Sequence, residues 1–480
     1  ETCDGTNLDG HTCESEGFSG GELACNSLCE LDTASCHSCG NGRVDFGEVC
    51  DGDDLGGRIC NALGYEGGQL LCTPDCQPDI RWCWWCGNEH IDPGETCDGV
   101  VSDDTCRLHG YFTGELACKD CTIDDTPCAN VTQVSGGGYH TCAVLTDQTV
   151  RCWGENGYAQ IGDGTIGTPP RVTPTRVNGI TGAIQVSNGT YFTCALLNDH
   201  TVHCWGRNHY GEVGDGTSLN IRITPVLVNS LTGVVQIASG FHHTCALLDN
   251  RTVQCWGYNA YGQLGDNSTT NRTTPAAVNG ITNATAIATG DLHTCALISN
   301  GSLRCWGYNN NGQLGNNSTT TSSTPVVVNN INTATAITTG ARHSCALLAN
   351  HSVQCWGYNA YGQLGNNSTT NRDTPVAVNG INNALAVVAR GHHTCALLTD
   401  NTAKCWGYNV HGQLGDNSTT NRTTPVVVNN LSHATSLALG DSHSCAVLTS
   451  GLLQCWGYNA FGQLGNGSTS SSSIPVDVLP

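Results

Sequence analysis

A pair of cysteines, ten residues apart, recurs seven times in this chain and constrains the fold more than any other feature. The first cysteine of each pair stands at 142, 194, 245, 295, 345, 395 and 445, and the second at 152, 204, 255, 305, 355, 405 and 455. The step between copies is 52, 51 and then 50 residues. A fixed period of about 50 residues is typical of propellers and solenoids.

The strand signals within each copy distinguish these two architectures. Each copy contains an alternating run before a glycine, a Cys-Ala-Leu or Cys-Ala-Val segment, a Cys-Trp-Gly segment and a run around a proline, as at Thr324–Val328. Four short strands in each repeat, without a helix-period segment, match one antiparallel blade, and a closed ring of blades leaves few exposed edges. We therefore predict an all-β, seven-bladed β-propeller over residues 129–480.

The cysteine spacing predicts one disulfide in every blade. Cys245 and Cys255 face each other in an antiparallel hairpin whose turn centres near Asn250, with Cα atoms about 4.5–5.5 Å apart, which a disulfide can bridge. The alternative is seven pairs of buried thiols, which we disfavour because every pair is intact. The predicted bonds are Cys142–Cys152, Cys194–Cys204, Cys245–Cys255, Cys295–Cys305, Cys345–Cys355, Cys395–Cys405 and Cys445–Cys455.

The run G-x-x-H-[ST]-C-A-L, followed by C-W-G-x-N-x-x-G-Q-L-G, resembles the regulator of chromosome condensation repeat. This resemblance covers residues 129–480 and implies a seven-bladed propeller. The family includes an exchange factor that binds chromatin and a secreted bacterial inhibitor of β-lactamases. An acidic, disulfide-rich chain with only two lysines, Lys119 and Lys404, resembles the secreted bacterial branch more closely.

Composition favours an extracellular or cell-surface location. The chain has 31 cysteines and a net charge of −22, and residues 1–128 hold 26 Asp+Glu against 5 Lys+Arg. So many cysteines suit an oxidising compartment. Nucleic-acid binding needs a basic stripe, which is missing, and no apolar run is long enough to insert into a membrane. We therefore expect that the chain does not bind nucleic acid and does not insert into a membrane.

Residues 1–128 form an array of cysteine-rich units, predicted at 1–38 (truncated), 39–84 and 85–128. Their shared text, C-G-N followed by C-D-G, resembles cysteine-rich repeats of secreted myxobacterial proteins. Such small units need disulfides in place of a core. The first unit has five cysteines and the others six. One cysteine would therefore pair with another chain or with upstream residues. We expect self-association through these units.

Several repeated residues are candidate sites. Six histidines share one repeat position, where the second copy has Phe192; a structural hydrogen bond to a neighbouring blade's backbone is favoured over a metal ring. The seven Cys-Trp tryptophans are expected in the core rather than in a sugar-stacking surface. We expect a ligand patch near residues 158–161 and 209–213, where copies deviate. A contact surface is expected at Tyr258, Tyr308, Tyr358, Tyr408 and Tyr458.

Two further motifs leave alternatives open. Asp51, Asp53 and Asp98 are weak Ca²⁺ candidates, for which solvated acidic turns are the favoured alternative; no other metal or cofactor is predicted. The loop after G-Q-L-G carries sequons that are either glycosylation sites or turn-forming sequences. These sequons lie at Asn267, Asn317, Asn367 and Asn417.

No catalytic residue stands out, so we predict a protein that is not an enzyme. The expected function is a secreted extracellular structural or interaction protein, as a self-assembling subunit of a surface filament or other assembly. The alternative is a soluble propeller that binds a glycan or a protein, as the inhibitor-type propellers do.

Overall fold

A computed structural model describes residues 3–40, 42–45, 48–65, 67–84, 96–97, 106, 108–119, 122–126 and 128–480. The chain divides into two compact units. One comprises residues 1–108 and 114–128, and the other comprises residues 109–113 and 129–480. No helix among the described residues has the length and apolar character needed to cross a membrane.

The N-terminal unit consists of short hairpins held by disulfides. Its strands are β1 (Gly20–Gly21), β2 (Ala24–Cys25), β3 (Leu31–Asp32), β4 (Cys36–His37), β5 (Gly67–Gly68), β6 (Leu71–Cys72), β7 (Pro78–Asp79), β8 (Cys83–Trp84), β9 (Ala117–Lys119) and β10 (Thr122–Asp124). Two 3₁₀ helices span Cys60–Leu63 and Ile80–Trp82. Only Cys60, Leu70 and Cys83 form a buried apolar cluster among its described residues, so disulfides replace an extended core.

The disulfides show one connectivity wherever they are described. In residues 39–84 the first cysteine pairs with the fifth, the second with the fourth and the third with the sixth. The bonds are Cys3–Cys25, Cys13–Cys36, Cys39–Cys76, Cys50–Cys72, Cys60–Cys83, Cys97–Cys118 and Cys106–Cys128. Every bond lies within one predicted unit. The division into three units stays a prediction.

Strands β11 to β38 follow in chain order and form seven four-stranded antiparallel sheets. The first strands of adjacent blades contact one another around the ring and therefore surround the axis. These are β11 (Val131–Gly136), β15 (Ala183–Asn188), β19 (Val234–Ser239), β23 (Ala284–Thr289), β27 (Ala334–Thr339), β31 (Ala384–Arg390) and β35 (Ala434–Leu439). The second strands are β12 (His140–Leu145), β16 (Phe192–Leu197), β20 (His243–Leu248), β24 (His293–Ile298), β28 (His343–Leu348), β32 (His393–Leu398) and β36 (His443–Leu448).

The two outer strands complete each blade. The third strands are β13 (Val150–Gly154), β17 (Val202–Gly206), β21 (Val253–Gly257), β25 (Leu303–Gly307), β29 (Val353–Gly357), β33 (Ala403–Gly407) and β37 (Leu453–Gly457). The fourth are β14 (Arg171–Arg176), β18 (Arg222–Leu227), β22 (Arg272–Ala277), β26 (Ser322–Val327), β30 (Arg372–Ala377), β34 (Arg422–Val427) and β38 (Ser472–Asp477). The predicted all-β, seven-bladed propeller is confirmed.

The repeated cysteines face each other across the second and third strands. Cys245 pairs with Cys255 in the register of β20 and β21, and the same register recurs in the other blades. The Cα atoms of these pairs are 4.0–4.1 Å apart, slightly closer than expected. One disulfide therefore joins the two central strands of every blade, as predicted for this fold.

The core lies between blades. Leu247 and Cys255 of the third blade pack in one cluster with Ile287 and Trp306 of the fourth. Phe112, from a segment that the sequence assigns to the third cysteine-rich unit, is fully buried in the cluster between the seventh and first blades. The seven Cys-Trp tryptophans are fully buried. They belong to the core, which excludes the alternative of a sugar-stacking surface.

Candidate functional site

A side-chain network, here called the inter-blade lock, joins neighbouring blades. An imidazole Nε2 of one blade lies 2.8–2.9 Å from a hydroxyl of the next blade. That hydroxyl donates to the backbone carbonyl of a glutamine, as Ser344 does to Gln313 and Thr193 does to Gln160. The pairs are His140 with Thr193, His243 with Thr294, His293 with Ser344, His343 with Thr394, His393 with Ser444 and His443 with Thr141.

The lock requires neutral histidines. The Ser344 hydroxyl donates its hydrogen bond to the Gln313 carbonyl, so it must accept a hydrogen bond from His293 Nε2–H. In a neutral imidazole this leaves Nδ1 without a proton. Burial lowers the pKa of His293 to about 3. The histidines were predicted to bond to the backbone of the neighbouring blade. In the structure each bonds instead to a hydroxyl of that blade, and the hydroxyl in turn bonds to a backbone carbonyl. Each imidazole Nε2 is engaged between two particular blades, which argues against one shared metal.

The second blade breaks this pattern. Phe192 replaces the histidine, and Glu212 replaces the glutamine. The Glu212 carbonyl still accepts the indole N–H of Trp256 at 2.9 Å, as the glutamine carbonyls do in other blades. The backbone carbonyl at this position therefore keeps its hydrogen bond to the tryptophan, although the side chain is glutamate and not glutamine.

An aromatic belt lies along the connections between the first and second strands and between the third and fourth strands of the blades. Its ring centroids lie 4.6–6.5 Å apart along successive contacts, as between Tyr361 and Tyr408. Its tyrosines and phenylalanine are Tyr139, Tyr158, Tyr191, Tyr210, Tyr258, Tyr261, Tyr308, Tyr358, Tyr361, Tyr408, Tyr458 and Phe461. The five tyrosines proposed as a contact surface lie in this belt and are partly exposed.

The two deviant segments meet in what we call the Arg207 cluster. The Arg207 guanidinium carbon lies 5.8, 6.0 and 5.2 Å from the ring centroids of Tyr158, Tyr191 and Tyr210. Cation–π attraction favours this arrangement. His209, Glu212 and His242 complete the cluster on the polar side. The sequence indicated Tyr158, His209, Tyr210 and Glu212 as a region to search but missed Arg207, Tyr191 and His242.

Arg207 fixes the protons of its histidine neighbours. Arg207 Nε donates to His209 Nδ1 at 2.7 Å, and Nη1 lies 2.5 Å from His242 Nε2. Nη1 is also 2.9 Å from His242 Nδ1. A guanidinium can only donate, so the imidazole nitrogen that binds Arg207 accepts and the proton lies on the other nitrogen. Nδ1 is 3.4 Å from Glu212 Oε1. Burial, with the charge of Arg207, lowers the pKa of His242 to about 2.

Glu212 is an incompletely paired buried acid. Its side chain is 0% exposed, and Oε1 lies 4.0 Å from Arg207 Nη1. Oε2 accepts the backbone N–H of Tyr210 at 2.7 Å, while Oε1 makes no hydrogen bond. Burial raises the pKa of Glu212 to about 7. Arg207 therefore contacts imidazole nitrogens and aromatic faces, and its nearest carboxylate oxygen in this cluster is 4.0 Å away.

One arginine crosses the axis of the propeller. Arg390 stands where the other six blades have glycine. Its Nη1 donates to the backbone carbonyls of Asn188 at 2.8 Å and Ser239 at 3.2 Å, and Nε lies 3.2 Å from Asp441 Oδ1. Arg390 thereby ties the sixth blade to the second, third and seventh.

Among the described residues, Asp51 and Asp53 do not share a cluster of possible metal ligands. Asp51 is buried and accepts the backbone N–H groups of Gly40 and Arg43. Its carboxylate and the sulfurs of Cys39 and Cys76 lie within 4.8 Å of one another, but these sulfurs form a disulfide and are not thiolate ligands. Asp53 is exposed, and Asp98 lies outside the described residues.

The sequon asparagines occupy equivalent turns. All four are exposed and have left-handed backbones, with φ between 58° and 61°. Asparagine tolerates this conformation better than most residues do. Their placement suits a turn and also leaves space for an attached glycan, so glycosylation at Asn267, Asn317, Asn367 and Asn417 stays a prediction.

Comparisons with known proteins agree with this architecture. The RCC1-like domain model matches residues 114–336, and the regulator of chromosome condensation (RCC1) repeat model matches residues 350–397, 405–447 and 450–480. Human probable E3 ubiquitin-protein ligase HERC4 is 35% identical over 145 residues, which are 29% of this chain and 14% of the ligase. Arabidopsis thaliana RCC1 domain-containing protein RUG3 is 32% identical over 176 residues, 34% of this chain and 38% of that protein.

Solved structures show the same fold. Human WBSCR16 aligns with a TM-score of 0.62 and 21% identity, covering 68% of this chain and 93% of that one. Prp20p from Saccharomyces cerevisiae aligns with a TM-score of 0.63 and 22% identity, covering 73% and 88%. The matched curated relatives extend well beyond the shared region. Through its propeller, this chain belongs to the family of proteins built from regulator of chromosome condensation repeats.

Proposed function

We propose that this chain is an extracellular interaction protein whose propeller binds a protein partner at the Arg207 cluster. One observation carries the proposal: Arg207 and Glu212, which depart from the repeat, meet ring-bearing residues of three adjacent blades. Tyr191, Arg207 and Glu212 come from the second blade, Tyr158 from the first and His242 from the third. Ring-building residues repeat in nearly every blade, whereas a ligand site needs an asymmetric surface.

The cluster has the chemistry of a protein-binding hot spot. Tyrosine and arginine are enriched among residues whose truncation weakens protein complexes most. The rings surrounding Arg207 hold it in place, so little side-chain entropy is lost when a partner binds. Its side chain is 15% exposed, which leaves part of it accessible. A flat aromatic surface with one anchored cation favours a folded protein over a small molecule.

The comparisons support a protein partner. RCC1-type propellers are interaction modules, and Prp20p is described by its binding to Gsp1p and histones. A complex of Prp20 with Kap60 is also known. This chain shares only the fold with those proteins at 22% and 19% identity, so its own partner is expected to differ.

Disulfides support the extracellular part of the proposal. Fourteen are present among the described residues, and the N-terminal unit has almost no other core there. A reducing cytosol would open such small units. The proposal therefore assigns the chain to an oxidising compartment outside the cell.

Capture by the full chain tests the propeller site. Wild-type protein is immobilised beside Arg207→Tyr, which restores the residue of other blades, and Tyr191→Ala. Tyr408→Ala, elsewhere in the belt, is the matched control. We expect a secreted protein from the source culture to bind wild type and Tyr408→Ala but not the two cluster variants. Equal retention by all four, or no specific retention by wild type, would overturn the proposal.

A second candidate is a self-assembling filament subunit. The observation favouring it is charge asymmetry, since residues 1–128 carry a net charge of −21 and residues 129–480 only −1. Contact between an acidic unit of one copy and the propeller of another avoids the repulsion between two acidic units. Head-to-tail contacts that do not close produce open polymers. Electron microscopy of the unreduced native protein should then show filaments; separate discs would refute self-assembly.

A further inference from the structure

The aromatic belt is interrupted between the fourth and fifth blades. Asn311 occupies the position that carries an aromatic or imidazole ring in each of the other six blades. In the fifth blade that ring, Tyr361, lies 6.0 Å from Tyr358 and 4.8 Å from Tyr408 of the next blade. Asn311 holds the equivalent place between Tyr308 and Tyr358 but is too short to fill it. A notch of about 190 Å³ results, lined by Asn310, Asn311, Thr319, Asn371 and Asp373.

Two further departures from the repeat occur in the same notch. Asn310 stands where the third, fifth, sixth and seventh blades have alanine or valine. Asp373 replaces the threonine or serine found at the equivalent place of the third, fourth, sixth and seventh blades. The loops that carry them are tightly apposed, because a Cβ added to Gly312 would lie 2.5 Å from the Asp373 Cα. Substitutions from two blades thus meet in one small concavity.

These polar side chains do not hold the fold together. Asn311 Oδ1 is buried and makes no hydrogen bond. Within residues 128–480, all of which the structure describes, no hydrogen bond or ion pair involves the side chains of Asn310 or Asp373. Asn371 differs, since its Oδ1 accepts the backbone N–H of Asn359 at 2.9 Å. The exposed Asn310 amide and the half-buried Asp373 carboxylate line the notch without a partner in the fold, and both are introduced by substitutions in the repeat, which indicates a ligand.

We propose that this notch binds one pyranose ring of a neutral saccharide. Amides offer a donor and an acceptor together, and a carboxylate accepts, which matches vicinal hydroxyls that both donate and accept. The Asp373 carboxylate, with no lysine or arginine in the lining, disfavours anions.

The size of the notch limits the ligand. Pockets for drug-sized molecules measure about 300–1,000 Å³, so a notch of about 190 Å³ accommodates one sugar ring and not an extended chain. Because it is open, further units of a glycan can extend into solvent. This inference is independent of the protein-binding site at the Arg207 cluster, and either can fail alone.

Saturation-transfer difference NMR on the full chain tests the proposal. The probes are the methyl pyranosides of glucose, galactose, mannose and N-acetylglucosamine. We expect at least one to receive saturation from wild type. Asn311→Tyr and Asp373→Thr restore the residues of other blades and therefore preserve the fold. Each should weaken binding about tenfold or more, as expected from a filled notch or a lost hydrogen bond to a charged group.

A transplant supplies the converse experiment. The fifth and sixth blades already have Thr369 and Asn421 at the equivalent positions. Ala360→Asn, Tyr361→Asn and Thr423→Asp together recreate the notch there, and should double the number of pyranoside sites. The proposal is overturned if no pyranoside binds wild type, or if Asn311→Tyr and Asp373→Thr bind pyranosides as wild type does. It is also overturned if added Ca²⁺ binds wild type and Asp373→Thr removes Ca²⁺ binding while pyranoside binding is unchanged.

Discussion

His443 in the seventh blade is hydrogen-bonded to Thr141 in the first, with 2.8 Å between Nε2 and Oγ1. The Thr141 hydroxyl in turn donates to the Gln463 carbonyl at 2.9 Å. All four strands of the seventh blade come from consecutive segments of the chain, so no strand is exchanged to close the ring. The ring is therefore closed by the same inter-blade lock that is present at five of its six other interfaces.

Replacing His443 tests the closing lock. His443→Phe introduces the residue that the second blade tolerates as Phe192, but it removes the bond to Thr141. We expect the free energy of unfolding to fall by about 1–2 kcal/mol, the value of a buried hydrogen bond. Urea unfolding with disulfides intact measures it. The exposed His433→Asn is the control and should match wild type; equal stability of His443→Phe would contradict the closing role.

The lock also predicts acid sensitivity. The pKa of His140, His243, His293, His393 and His443 is about 3 in the folded propeller, because burial disfavours the imidazolium. The unfolded chain binds these protons near pH 6.5, so stability is full above that pH and is lost as pH falls towards 3.

At pH 5 each such histidine costs about 2 kcal/mol relative to pH 7. Urea unfolding at the two pH values should show a large loss of stability in wild type. His293→Phe should reduce the difference by about that amount, because one proton-binding group is gone. An unchanged pH dependence in this variant would show that His293 does not titrate as proposed.

Glu212 predicts the opposite pH dependence. Burial raises its pKa from 4.5 to about 7, so its contribution is fully favourable below pH 4.5 and is lost as pH rises through 7. Glu212→Gln restores the glutamine of other blades. We expect this variant to be more stable than wild type by up to about 3 kcal/mol at pH 8, and nearly equal at pH 4.5. Thermal unfolding at both values measures it; a gain of equal size at both would point to packing instead.

Each blade disulfide should contribute separately. Cys295 and Cys305 are buried and directly paired across β24 and β25. Cys295→Ala with Cys305→Ala should lower the free energy of unfolding by about 2–3 kcal/mol, since the bond closes a short loop in the unfolded chain. Chemical denaturation of the oxidised protein measures the loss. A variant as stable as wild type would show that β-pairing alone holds the hairpin.

The propeller was predictable because its signals are local and periodic. The spacing of Cys245 and Cys255 fixed a hairpin register that the structure shows. The lock was only half predictable: His293 recurs visibly, but Ser344 lies 51 residues away and resembles any strand hydroxyl. The hydroxyl that meets each histidine is set by how adjacent blades pack in the ring, and the sequence of a single repeat does not contain this information.

The candidate sites were less predictable for the same reason. Glu212 stood out as a departure from the repeat, but Arg207 and His242 belong to different blades and meet only in the folded ring. Asn311 is a weaker signal in the sequence, because it marks a missing aromatic ring and not a new charge. An alignment of all seven copies reveals both this missing ring and Asp373.

The hydrogen bonds that close the ring are those found at five of the six other interfaces, so the lock itself does not mark the first or the last blade. A chain whose repeats started at a different loop could therefore close through the same pair of side chains. A repeat that keeps its histidine and hydroxyl can vary at other positions without losing these bonds.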